Sequence, residues 1–430
     1  MSIRLPQFMT FGRLARNVSA AIAWNSVRLG VLAATVVVMA RLLGPMEYGR
    51  FVGVAGLATA AGGLSGLGLG LVMYQRTAIR PLSFGTYWRS SLRITAISSV
   101  VLSAAVVAFA PAVVEHHTSL LSLVLICLSE TVLAPLLTNS AFAFAAHERT
   151  AWAAALPAVL ALCRLGGAAV FGWTAASSME SYVVFHFTST ALAAVSSLIL
   201  VQCLLKPRLD DTALNGKDLK DGLEFSAGWA SGTALTSVDK TLALRYAGPE
   251  AAGVYGASYR LAVLAAMPVE AITQAALPRL FRSSAEAGGQ SGLLKILLRV
   301  VVLYGVVAAA ALYFLADLLP LVLGEAFRPT VEATRWLCLL VPFYCLRNLG
   351  GNALVARDHR LTRALVESGA LGLMLVLAAL LVPRHGLHGM AIVVTASEAT
   401  AAAAMWAMLL WHNSTAASPT APHSKHLRAP

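Results

Sequence analysis

The sequence predicts an all-α polytopic membrane protein, with about 12 transmembrane helices in two six-helix lobes related by an internal repeat around a central cavity. Three observations carry this reading. Of 430 residues, 58% are hydrophobic and only 12% are charged, against roughly 25% charged in a soluble domain; mean hydropathy is +0.73. Apolar stretches of about 20 residues, enough to cross a bilayer as helix, recur along the whole length. Finally, Arg41-Leu-Leu-Gly-Pro-Met-Glu-Tyr-Gly-Arg-Phe51 returns at a constant offset as Arg245-Tyr-Ala-Gly-Pro-Glu-Ala-Ala-Gly-Val-Tyr255. Arg, Gly, Pro and Gly match, and an aromatic closes each copy. Because the repeat is parallel, each half contains an even number of spans.

In the first half the spans fall at about 17–40, 50–73, 91–114, 119–144, 152–173 and 181–205. In the second they fall at about 225–247, 252–276, 293–318, 331–355, 364–382 and 388–411. The expected organisation is a cytoplasmic N-terminal segment 1–16, an N-lobe 17–205, a charged inter-lobe linker 206–222, a C-lobe 223–411 and a disordered cytoplasmic tail 412–430. No cleavable leader is expected, because the first span is of full length and lacks a small-residue exit. With the N-terminus inside, 21 Lys and Arg fall in inner segments and six in outer ones. That asymmetry places both termini in the cytoplasm.

The net charge of +12 follows from this distribution and implies no nucleic-acid partner. Cys127, Cys163, Cys203, Cys338 and Cys345 lie in apolar segments without metal-ligand spacing, so neither a disulfide framework nor a metal site is expected. Gly62-Gly63-Leu-Ser-Gly66-Leu-Gly68-Leu-Gly70 superficially resembles a phosphate loop. It lies inside a span without the following Lys-Ser/Thr, and reads as small residues for close helix packing. No nucleophile–base constellation or nucleotide motif occurs, so neither an enzyme nor a cofactor is expected.

Five cations fall within spans: Arg28, Arg164, Lys240, Arg260 and Arg347. Charge at membrane depth costs at least about 2.5–3.5 kcal/mol, so it usually faces a partner or a wet cavity. Snorkelling fits Arg260 and Arg347, each near a span end. It fits Arg28 poorly, because Arg28 lies about 16 Å from either end at roughly 1.5 Å per residue. Asn17, Trp24, Asn25, Arg28 and Thr35 share one face of the first span; Ser226, Trp229, Thr233, Ser237 and Lys240 share one face of the seventh. Both stripes can line one central cavity. Asp239 and Lys240 are adjacent and are not expected to pair. Glu130, Glu367 and Glu398 either carry a coupling proton or sodium ion or neutralise cavity arginines. His186 reads as a helix–helix contact.

Taken together, these features resemble the polysaccharide-exporting flippases of the bacterial Wzx type, in the superfamily that also holds MATE drug exporters and lipid II flippases. The resemblance covers about 17–411 and is carried by Arg41–Phe51, Gly66-Leu-Gly-Leu-Gly-Leu-Val-Met73, Ser237-Val-Asp-Lys240, Gly253-Val-Tyr-Gly-Ala-Ser-Tyr-Arg260 and Ala275-Ala-Leu-Pro278. It implies a MATE-like fold and movement of undecaprenyl-diphosphate-linked oligosaccharides across the inner membrane, for O-antigen, capsule or exopolysaccharide. A polysaccharide polymerase and chain-length machinery are the implied partners, with membrane lipid. By resemblance to lipid II flippases, Arg28 and Arg260 contact the diphosphate, with Arg164, Lys240 and Arg347 beside them. Asn25, Thr35, Thr233 and Ser237 are the expected polar lining. Trp24, Trp229, Tyr255 and Tyr259 either stack on sugars or anchor at the interface. The alternatives are a MATE-like cation-coupled exporter of small molecules and a membrane-embedded glycan polymerase or ligase.

Overall fold

A computed structural model describes residues 7–113, 118–174, 177–208, 214–285 and 290–416, and every regular element among them is helical. Residues 1–6, 209–213 and 417–430, in the expected N-terminal segment, linker and tail, lie outside it. The helices are α1 Gln7–Gly62, α2 Leu69–Ile79, α3 Phe84–Val113, α4 Leu120–Cys127, α5 Ala134–Ala146, α6 Thr150–Phe171 and α7 Met179–Leu204 in the first half. The second half holds α8 Gly216–Leu235, α9 Val238–Ala285, α10 Gln290–Leu315, α11 Leu319–Leu323, α12 Thr330–Leu337, α13 Leu340–Ala356 and α14 Arg360–Ala416.

Three of these exceed any bilayer. At about 1.5 Å per residue, the 56 residues of α1 would reach roughly 84 Å, against about 30 Å of hydrocarbon. Each folds back at a glycine: Gly44 in α1, Gly248 in α9 and Gly386 in α14. Leu32 and Thr59, on the two arms of α1, accordingly line the same cavity. Among the described residues, seven helices are long and apolar enough to cross a membrane, or eight if the bent pair α12 and α13 is one span. Counting both arms of α1 and α14, and α8 with both arms of α9, about twelve crossings result.

The duplicated sequence is a duplicated turn. Gly44 has φ 69° and ψ 174°; Gly248 has φ 86° and ψ 171°. A side chain would be strained there, and the proline that follows each starts the returning arm with a preset φ. The two turns meet. A Cβ on Gly49 would strike the Pro249 carbonyl and come within 2.6 Å of the Gly253 nitrogen; a Cβ on Gly253 would strike the Pro45 carbonyl and come within 3.1 Å of the Gly49 nitrogen.

From that point the returning arm of α1 runs along α9 and α8 for its whole length. Thr241 Oγ1 donates to the Gly53 carbonyl at 2.7 Å, Gly56 backs onto Ser237, Gly63 onto Ala230, and Gly68 onto Gly222. At the end remote from the turns, Arg76 of α2 binds Asp218 at 2.8 Å and Asp221 at 3.1 Å, and the Tyr87 hydroxyl donates to Asp218 at 2.9 Å. At the turn end, Arg41 donates to the carbonyls of Leu321 and Val322, both at 2.8 Å.

Several elements differ from expectation. The second span is not continuous. It stops at Gly62, passes through a 3-10 turn at Ser65–Gly68 with Gly66 and Gly68 left-handed, and resumes as α2. The glycine run therefore breaks the helix as well as packing it. The seventh span breaks at Thr236 and Ser237, between α8 and α9. The fourth contains a π-helical turn at Leu128–Leu133, between α4 and α5. Residues 216–222, expected as linker, form the start of α8, where Asn215 and Asp218 make a reciprocal capping box.

Candidate functional site

Between the halves lies a cavity of about 320 Å³. Its wall is mostly apolar, from Leu32, Val36, Phe51, Val52 and Met267 among others, and three cations break it: Arg164 from α6, and Lys240 and Arg260 from α9. Thr35 and Ser237 line it as well. Three of the five intramembrane cations and two of the four expected polar residues thus meet in one place.

Each cation is held differently. Arg164 donates to Glu130 Oε1 at 2.7 Å and to Thr190 Oγ1 at 3.0 Å. His186 Nε2 lies 3.0 Å from the same Glu130 oxygen, while its Nδ1 has no partner among the described residues. His186 is therefore part of a charged triad, more than the plain helix contact its apolar run suggests. Lys240 Nζ binds both oxygens of Asp239, at 2.8 and 3.0 Å, and the Thr236 carbonyl at 2.6 Å.

That pairing corrects the expectation that adjacent residues diverge. Asp239 and Lys240 stand in the first turn after the break at Thr236 and Ser237, and the flexible lysine stem folds back over the helix start. The ammonium rests 3.6 Å above the Tyr259 ring, and the Tyr255 hydroxyl donates to Asp239 Oδ2, one of the two oxygens that Lys240 binds, at 2.6 Å. Tyr255 and Tyr259 are buried by this arrangement, which leaves no face of Tyr255 for a sugar. Arg260 makes no ion pair among the described residues and lies over Tyr48 at 5.6 Å. Glu130 and Asp239 do not line the cavity themselves, so its surface presents cations with the carboxylates behind them.

The remaining expected residues lie elsewhere. Arg28 is half-buried one helical turn before Leu32, on the face that carries Thr35, and Glu270 of α9 is the opposite charge that acts on it. It stands beyond the cavity, on the side away from the turns. Asn25 is exposed. Asn17 and the Ala275–Pro278 motif fall mostly outside the residues whose side chains are described.

Arg347 does not snorkel. It is 5% exposed and binds Glu398 together with Glu367, the latter at 3.3 Å. Arg363 adds a second cation to Glu367 at 3.1 Å. The position of Arg347 along its span hid this, because both carboxylates come from α14. Arg347, Glu367 and Glu398 line neither cavity described here.

A second cavity, of about 220 Å³, adjoins the first through Thr59, which lines both. Thr233, Ser226 and Trp229 of the seventh-span stripe line it. That stripe is therefore divided at the helix break: Ser237 and Lys240 face the first cavity, and the earlier three face the second.

The same fold occurs in an inward-facing multidrug resistance MATE family transporter of the MOP superfamily, with a TM-score of 0.70 at 12% identity over 93% of this chain and 100% of that one. It occurs in the lipid II flippase MurJ, in an inward closed conformation, with 0.72 at 12% identity over 91% and 87%. A MOP superfamily transporter from Pyrococcus furiosus, reported with a binding pocket of reverse polarity that suggests a different function, matches with 0.59 at 13% identity over 95% and 96%. The chain thus shares the fold of these transporters, with helices long and apolar enough to cross a membrane many times. Residues 14–284 match the polysaccharide biosynthesis protein family, and the chain belongs to it. No curated protein sequence matches the chain.

Proposed function

We propose that the protein moves undecaprenyl-diphosphate-linked oligosaccharide repeat units across the bacterial inner membrane by alternating access, with both termini in the cytoplasm and a polysaccharide polymerase receiving the product. One observation carries this reading: Arg164, Lys240 and Arg260 face a common cavity in a mostly apolar wall. A diphosphate cannot cross hydrocarbon unaided, and guanidinium forks suit its oxygens. Arg260, without an ion pair, is the first ligand; Arg28 guides the headgroup toward it. An exporter of organic cations would need carboxylates at the cavity surface, where this protein presents the opposite sign. Among the membrane carboxylates, Glu130 is the coupling site, because it touches two cavity residues, Arg164 and His186, whereas Glu367 and Glu398 are tied to Arg347.

The test is a flipping assay in liposomes with the purified protein and fluorescently labelled undecaprenyl-diphosphate oligosaccharide. Accelerated exposure of the label to an impermeant quencher is expected, and Arg260→Ala should slow it markedly. A rate equal to that of protein-free liposomes would overturn the proposal.

A further inference from the structure

We propose that the second cavity is a saccharide subsite, separate from the cationic cavity and built for neutral hydroxylated rings. The inference rests on the reading of the substrate as a glycan-bearing diphosphate lipid and assigns the glycan a place of its own.

The two adjoining cavities have opposite chemistry. The first presents Arg164, Lys240 and Arg260. Among the described residues, the second is lined by no cation, and its one charged group is the carboxylate Glu130. An anionic headgroup is favoured in the first and repelled from the second.

What the second cavity offers instead is hydrogen-bonding capacity. Thr138 and Thr233 spend their hydroxyl protons on the carbonyls of Ala134 and Trp229, at 3.0 and 2.8 Å, which leaves oxygen lone pairs. Asn139 donates its amide to Thr95 at 2.9 Å, and its carbonyl oxygen accepts from no described group. Ser226 is the independent pointer. It is 2% exposed, it lines the cavity, and its hydroxyl has no partner among the described residues. Buried hydroxyls are normally bonded, so this orphan leaves the wall one partner short, and a sugar hydroxyl reaches it once the Ser226 side chain turns toward the cavity. Acceptors in excess suit a ligand rich in O–H donors.

The wall also carries an aromatic surface. Phe142 stacks on Tyr74 with centroids 6.5 Å apart and meets Trp229 edge-on at 6.2 Å. Trp229 is 50% exposed, although it lies in mid-helix. The electron-rich ring face attracts the slightly positive C–H face of a sugar. A ligand with its diphosphate on Arg260 extends its sugars past Thr59 into this cavity.

Photo-crosslinking in cells that make the native glycolipid tests this. Benzoylphenylalanine is placed at Phe142, at Trp229 and, in the first cavity, at Leu264. Adducts are treated with mild acid, which cleaves the sugar–phosphate bond, and are then stained for glycan. Adducts at positions 142 or 229 should keep glycan after acid; those at 264 should lose it. If 264 forms adducts while 142 and 229 form none, or form adducts that lose glycan, the second cavity is not a saccharide subsite. Absence of glycolipid adducts at all three positions would overturn the substrate reading itself, and the inference with it.

Discussion

Gly49 and Gly253 occupy the same place in the two repeats, and each fills the space that a side chain on the other would need. The contact lies on the pseudo-symmetry relation between the halves, so one substitution disturbs both turns. Overpacking of a tight contact costs about 1–3 kcal/mol, and here the obstacle is backbone, which cannot rotate away. Gly253→Leu should lower the melting temperature of the detergent-solubilised protein, and Gly49→Leu should do so equally. Gly228→Leu is the control, because a Cβ there meets nothing within 4 Å; it should leave melting unchanged. Equal melting of all three proteins would show that the seam is loose.

Arg260 and Arg347 should fail in different ways. Arg260 lines the cavity without an ion pair, so Arg260→Ala should reach the membrane in normal amount while substrate binding weakens. Loss of a charge-assisted contact corresponds to roughly 1.5–3 kcal/mol, about ten- to a hundredfold in affinity. Arg347→Ala strands Glu398 and leaves Glu367 with Arg363 alone. Breaking a buried pair by removing one partner costs about 3–5 kcal/mol. Immunoblots of membranes should show Arg347→Ala depleted and Arg260→Ala at wild-type level. The reverse pattern would reassign Arg347 to the substrate.

The Glu130–Arg164–His186 triad gives a double-mutant prediction. Arg164→Ala leaves Glu130 buried with only His186 beside it, and should destabilise by an amount near the lower end of roughly 3–5 kcal/mol, since Arg164 keeps partial exposure. Replacing Glu130 by Gln in the same protein removes the stranded charge and should recover most of the stability. Thermal unfolding of the two single variants and the double variant measures the coupling. Strictly additive losses would mean that the pair contributes nothing jointly.

The lobes must part for any alternating mechanism. A Cβ on Gly63 would sit 2.9 Å from the Ala230 Cα, closer than side chains pack, so the two segments must ease apart slightly to take a disulfide between cysteines at the two positions. In a protein whose five native cysteines are replaced, Gly63→Cys with Ala230→Cys should crosslink under mild oxidant and stop transport, and reductant should restore it. Transport by the fully oxidised protein would show that this seam stays closed throughout the cycle.

Bilayer thickness made most of the fold legible. A chain that must satisfy its backbone within about 30 Å of hydrocarbon reveals its crossings by length alone, and Gly44-Pro45 and Gly248-Pro249 announced the paired turns. The breaks were not legible in the same way. The glycines at 66 and 68 read as packing residues, and they do approach Thr95 and Gly222 closely; their left-handed backbone, which breaks the span, carries no sequence signal that a packing glycine lacks. Among site residues, the cavity positions of Thr35, Ser237 and Lys240 could be read from helical spacing, because spacing reports faces. Partners drawn from other spans could not be. His186 meets Glu130 of the π turn and the Phe51 ring of α1, and Arg347 meets two distant stretches of one helix. Asp239 and Lys240 escaped for the opposite reason: the face rule assumes rigid side chains, and a lysine is long enough to ignore it.

The wide turn at Leu128–Leu133 has a consequence for how such a protein diversifies. A π turn holds one residue more than an α turn, and here the Thr131 carbonyl accepts from Ser65 and Ser99, at 2.7 and 2.6 Å. Roughly six residues at the π pitch turn through about the same angle as five at the α pitch, so removing a single residue from this turn would close it to an α turn and leave α5, with Asn139 and Phe142, in nearly its present orientation. What would go is the carbonyl clamp that Thr131 extends to Ser65 of the second span and Ser99 of α3. A lineage could thus loosen the joint between three helical segments by a one-residue deletion and leave both the wall of the second cavity and the charged chamber intact.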